Sequence, residues 1–127
     1  MRILLIDDEE ELVATLAERL TFRGFDVDWA TNARDAVGLV ELHPYDVVVV
    51  DMKMPKTDGI EMRRELEKYR PCMEYLFMSG HGSAHSFREA VNVVGDSKYF
   101  LLKPVDIDVL VERIQSLVAL KRGDLHG

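Results

Sequence analysis

Four consecutive valines, Val47 to Val50, run directly into Asp51 in the stretch "YDVVVVDMKMPKTDG". That junction limits the folds open to this chain more than any other segment. β-Branched residues favour extended backbone. An unbroken apolar run of this kind, bounded by turn signals, reads as a strand buried on both faces, as in parallel sheets covered by helices on each side. Asp51 then lies at the strand's carboxyl end, the edge of an open α/β sheet where ligands bind because loops vary there without disturbing the packed strands.

The remaining chain alternates in the same sense. "RILLI" (2–6) is a first strand that ends in "DDEEE", acidic residues suited to the start of a helix near Glu9 or Glu10. Leu12, Val13, Leu16, Ala17 and Leu20 recur at helical spacing until Gly24 stops them. "FDVDWA" (25–30) alternates as a strand, and Thr31 or Asn32 caps a second helix that His43 and Pro44 end. A third helix is expected from Ile60 to Tyr69, a strand over "EYLFM" (74–78) and a helix over 84–94. A fifth strand, "KYFLL" (98–102), precedes a last amphipathic helix capped by Asp106. Five strands alternating with five helices imply right-handed crossovers and a doubly wound α/β sheet. At 127 residues the working count is one domain, 1–120, with a polar tail, 121–127, expected to fray.

Composition excludes several roles. The formal net charge of −7 repels nucleic acid, and no basic stripe offsets it. The single Cys72 allows no internal disulfide. With no signal-like start and no apolar stretch long enough to span a bilayer, the sequence predicts a cytoplasmic location away from membranes.

In the flavodoxin-like strand order 2-1-3-4-5, the carboxyl ends of strands one, three, four and five gather at the topological switch point. Asp7 and Asp8 lie at the first of these, Asp51 at the second, Ser79 at the third and Lys103 at the fourth. Each alone has an ordinary explanation: acids favour helix starts, serine favours loops and a terminal lysine is usually solvated. Together they are specific. Three crowded carboxylates repel one another unless a cation intervenes, and a hard divalent ion such as Mg²⁺ suits oxygen ligands. His81 and His85 lack a nearby third ligand and read as surface residues.

With "DDE" after strand one, "VVVVD" followed by "MPKTDG", "MSGHGS" after strand four and "LLKP" after strand five, the chain resembles the receiver domain of two-component response regulators over about residues 2–120. The resemblance implies that Asp51 accepts a phosphoryl group from a histidine kinase or phosphotransfer protein. It implies that Asp8, Asp51 and the backbone carbonyl of Lys53 bind Mg²⁺, with Asp7 acting through water. Ser79 and Lys103 would contact the phosphoryl oxygens, and the N–H groups of Met52 and Gly80 would add donors. Phe100 holds the place of the family's switch aromatic, often a tyrosine, and with Ser79 would alter the face formed by the fourth helix, fifth strand and fifth helix for a downstream target. Lys53 and His81 flank the phosphoryl position and would influence its hydrolysis.

The resemblance also implies a cis Lys103–Pro104 bond. The chain departs from the family in being about two residues longer between Ser79 and Lys103. A rival reading, an aspartyl phosphatase of the haloacid-dehalogenase type, needs a second acid where Lys53 stands. Another, a receiver-like scaffold that works without phosphorylation, sits poorly with the intact acids and Lys103.

Overall fold

The computed structural model describes residues 1–80 and 99–122. Its strands are β1 (Arg2–Ile6), β2 (Asp26–Ala30), β3 (Val47–Asp51), β4 (Glu74–Ser79) and β5 (Phe100–Leu102). Its helices are α1 (Glu10–Phe22), α2 (Ala33–Leu42), α3 (Gly59–Glu67) and α4 (Ile107–Arg122). The helix expected over 84–94, together with His81, His85 and the lengthened segment, lies outside the described residues. All strand pairs are parallel, in the order β2-β1-β3-β4-β5.

The valine run is explained by where successive side chains point. Val47 and Val49 enter a core with Val13, Leu16 and Leu20 of α1 and Leu110, Ile114 and Leu117 of α4. Val48 and Val50 enter the opposite core with Ala36 and Val40 of α2 and Met62 and Leu66 of α3. Alternation across the strand therefore buries all four in two different interiors. Edge strand β2 is more open and carries Asp26 and Asp28, charges that discourage pairing with another chain.

Element ends depart from the sequence expectations for local reasons. Phe25 lies in the turn that closes α1 rather than in β2. Gly24 sits at φ +93°, its N–H bonds the Thr21 carbonyl, and the Phe25 N–H bonds Leu20, a Schellman closure that also brings Phe25 into the core beside Leu20. α3 stops at Glu67 because the Lys68 and Tyr69 N–H groups turn to carbonyls three residues back, at Glu65 and Leu66. β5 starts at Phe100, after Tyr99, and pairs only with Phe77 to Ser79, while the expected start at Lys98 lies outside the described residues. The expected caps form: the Asp35 N–H donates to Asn32 Oδ1 at 2.8 Å, and the Asp108 N–H to Asp106 Oδ1 at 2.8 Å.

Candidate functional site

β1 delivers Asp7 and Asp8 to the carboxyl edge of the sheet. Asp7 is wholly buried and Asp8 exposed. The Asp7 side chain is fixed by an Asx turn, in which the Glu9 N–H donates to Oδ1 at 2.9 Å. β3 delivers Asp51, which is 4% exposed. Carboxylate oxygens of Asp7, Asp8 and Asp51 all lie within 4.8 Å of one another, so the cluster could hold a metal ion. Its all-oxygen donors and mixed burial suit a hard divalent cation with room for water on the Asp8 side.

Lys103 closes the cluster from β5. Its N–H bonds the Ser79 carbonyl at 2.8 Å, and the Lys103–Pro104 peptide is cis, as the sequence led us to expect. The ammonium stands 2.8 Å from Asp7 Oδ2, 3.3 Å from Asp51 Oδ2 and 4.0 Å from Glu9 Oε1. Burial works against its charge, but hydrogen bonds and attraction from Asp7 and Asp51 outweigh that and hold its pKa above the usual lysine value. Asp51 responds differently. Burial, then repulsion from Asp7, push its carboxyl up, and Lys103 with the Lys53 N–H only partly pulls it back. The lysine by itself does not restore an ordinary carboxylate, a deficit that a bound cation would offset.

Ser79 ends β4 and is 1% exposed, in register with Leu102 and one residue from Lys103. Among the described residues, a Cβ added to Gly80 would meet nothing within 4 Å. Met52 requires a correction as a donor in this structure: its N–H is engaged with the Met78 carbonyl at 2.8 Å, continuing the β3–β4 ladder. The amide that faces Asp51 is that of Lys53, at 3.4 Å from Oδ1. The Lys53 side chain is exposed, and its backbone bridges to Asp58 across the loop. Phe100 is buried against Phe77, with ring centroids 5.2 Å apart.

Two contributors were missed in the sequence. Glu9 reads there only as a helix-start acid, yet its amide fixes Asp7 and its carboxylate approaches Lys103. Gly59 begins α3 so close to β3 that a Cβ would stand 3.0 Å from Met52 Sδ and Phe77 Cδ1 and 3.2 Å from the Asp51 carbonyl. A glycine directly after Asp58, itself the α3 cap through Glu61 N–H at 2.8 Å, was the available signal.

A doubly wound parallel sheet with three acids and a lysine at its switch point defines an α/β domain with a charged site at the carboxyl edge of the sheet. Residues 3–115 match the response regulator receiver domain, and the chain belongs to that family, the signal-receiving module of two-component systems. It is 32% identical over 117 residues to the transcriptional regulatory protein TcrA of Mycobacterium tuberculosis, covering 92% of this chain and 46% of TcrA. It is 31% identical over 129 residues to the regulatory protein AtoC of Escherichia coli, covering 98% of this chain and 27% of AtoC. A crystal structure of a response regulator receiver domain protein from Clostridium thermocellum superposes with a TM-score of 0.81 at 29% identity, covering 95% of this chain and 96% of that one. The chain thus spans less than half the length of these two regulators. Among the described residues no helix is long and apolar enough to cross a membrane.

Proposed function

We propose that this chain is a phosphorylation-activated switch in which Asp51 accepts a phosphoryl group from the phosphohistidine of a histidine kinase or phosphotransfer protein. An Asp51 carboxylate oxygen forms the new P–O bond as the P–N bond of the donor breaks, and the departing imidazole nitrogen recovers a proton from solvent. The observation that carries this reading is the Lys103 ammonium seated between Asp7 and Asp51, at 2.8 and 3.3 Å. A buried cation beside a buried nucleophile supplies the charge stabilisation that phosphoryl transfer demands.

Mg²⁺, held by Asp8, Asp51 and the Lys53 carbonyl with Asp7 acting through water, would supply neutralising charge at the phosphoryl oxygens. Lys103 and the Ser79 hydroxyl engage the other oxygens, and the Gly80 amide would add a donor. Drawing Ser79 toward the phosphoryl group opens space for Phe100, and the surface of β5 and α4 changes for a partner protein. TcrA is a transcriptional regulatory protein, which supports transcriptional control as the output, delivered through a segment or partner other than this domain.

Acetyl phosphate with and without Mg²⁺, followed by mass spectrometry, tests the reading. Labelling should be confined to Asp51, depend on the divalent ion and vanish in Asp51→Asn. Undiminished labelling of Asp51→Asn refutes it. Absence of any adduct in the parent, with a partner still bound, supports the scaffold instead.

A further inference from the structure

The aromatic side chains of β4 continue past the acidic site as a stacked row. Phe100 lies on Phe77, at 5.2 Å between centroids and 27° between planes, and Phe77 on Tyr75, at 6.4 Å and 16°. The row ends under α3, where the Arg63 guanidinium carbon stands 5.2 Å from the Tyr75 ring centroid. Arg63 Nε in turn donates to Glu67 Oε1 at 2.8 Å on the exposed side of that helix.

Two constraints make this row more than packing. Phe77 is fully buried, and the start of α3 blocks it, since even a Cβ on Gly59 would come within 3.0 Å of its ring. The ring can therefore follow Phe100 but cannot move toward α3. Tyr75 is 3% exposed, and its hydroxyl has no hydrogen-bond partner among the described residues. A buried hydroxyl without a partner is held at a cost, so no hydrogen bond from the hydroxyl anchors this ring position against an alternative. The Phe100 backbone is tied to α4, with Arg113 Nη1 donating to its carbonyl at 3.3 Å.

We propose that Phe100, Phe77 and Tyr75 form a two-position packing relay linking the carboxyl edge of the sheet to the Arg63–Glu67 pair on α3. Withdrawal of the Phe100 ring toward Ser79 lets Phe77 follow, shifts Tyr75 to a position where its hydroxyl gains a partner, and releases Arg63 from the Tyr75 face. The exposed side of α3 thereby becomes a second surface that reports the state of the site. The trigger rests on the phosphorylation reading above, whereas the coupling is a property of the packing.

NMR of the Arg63 Nε–Hε resonance tests both separately. In the unmodified protein, Phe100→Leu should displace that resonance. A resonance coincident with the parent's overturns the relay. Tyr75→Phe, which removes the unpartnered hydroxyl, should raise Tm more in the free protein than in the protein saturated with beryllofluoride and Mg²⁺, and equal gains in both states overturn it. With beryllofluoride and Mg²⁺ the amides of Asp51 and Ser79 should shift together with Arg63. Shifted amides with a fixed Arg63 defeat the relay, while unshifted amides defeat the phosphoacceptor reading and leave the Phe100→Leu result to decide the coupling.

Discussion

Asp51 is placed where its charge is most useful and least comfortable. Burial first, and Asp7 second, raise its pKa above the ordinary carboxylate value. The folded protein therefore takes up a proton at a pH where the unfolded chain does not, and stability falls as pH rises through that window. Below the unfolded carboxylate pKa, about 3.9, both states are protonated and the penalty disappears. Asp51→Asn should accordingly stabilise the metal-free protein at pH 7, by about 1 kcal/mol or roughly 3–6 °C in Tm. The gain should shrink toward zero near pH 3.5, and thermal melts of both proteins across pH check it. Lys103 has the opposite linkage: its raised pKa contributes stability throughout neutral pH that is lost only when pH climbs through the folded value. Lys53 sits beside the site with an exposed side chain. A charged lysine donates hydrogen bonds but cannot accept one from an attacking water, so on the function proposed above it would favour the phosphorylated state without aligning hydrolysis. Lys53→Asn should shorten the lifetime of phosphorylated Asp51 several-fold, measured by decay of the labile adduct at fixed Mg²⁺ and pH.

At the scale of elements, the site depends on how tightly α3 begins against the end of β3. Gly59→Ala would gain up to about 1 kcal/mol of helix propensity, but its Cβ meets the buried Phe77 ring at 3.0 Å and the Asp51 carbonyl at 3.2 Å. Overpacking at such a site costs about 1–3 kcal/mol. Phe77 yields only if Phe100, which lies against it, moves as well. A net loss of about 1–2 kcal/mol in urea unfolding is expected, together with shifted Asp51 and Met52 amides. Asp58→Ala should cost about 1 kcal/mol through its lost cap while leaving those amides in place. This junction also marks where sequence reading ran out. Val47 to Val50, the acids at strand ends and the caps Asn32 and Asp106 were legible because alternation and capping are local properties. Gly59 was not, since its role is a clearance set by Phe77 on another strand. The Met52 amide was misjudged because its partner, the Met78 carbonyl, is fixed by sheet register, and Phe25 because its Schellman closure takes precedence over an alternating pattern.

Over the whole molecule, the two cores on opposite faces of the sheet fix β1, β3, β4 and β5 in register, so the five side chains of Asp7, Asp8, Asp51, Ser79 and Lys103 converge with little freedom to relax. A cation bound to that cluster, but not to the unfolded chain, must therefore appear as global stability. The gain is RT ln(1 + [L]/Kd), about 2.7 kcal/mol at a hundredfold excess over Kd, which for a chain of this size corresponds to roughly 10 °C in Tm. Melting temperature should climb with the logarithm of Mg²⁺ concentration. Asp8 is exposed, so Asp8→Asn should leave the metal-free Tm nearly unchanged while flattening that climb, which separates a lost ligand from a damaged fold. Asp51→Asn should start above the parent in chelator and be overtaken as Mg²⁺ is added, because the same substitution relieves repulsion and deletes a ligand. Curves that cross in this way tie the pKa rise at Asp51 to the cation that offsets it. A parent Tm indifferent to millimolar Mg²⁺, or parallel curves for all three proteins, would show that the clustered acids hold no divalent ion and that Lys103 alone balances their charge.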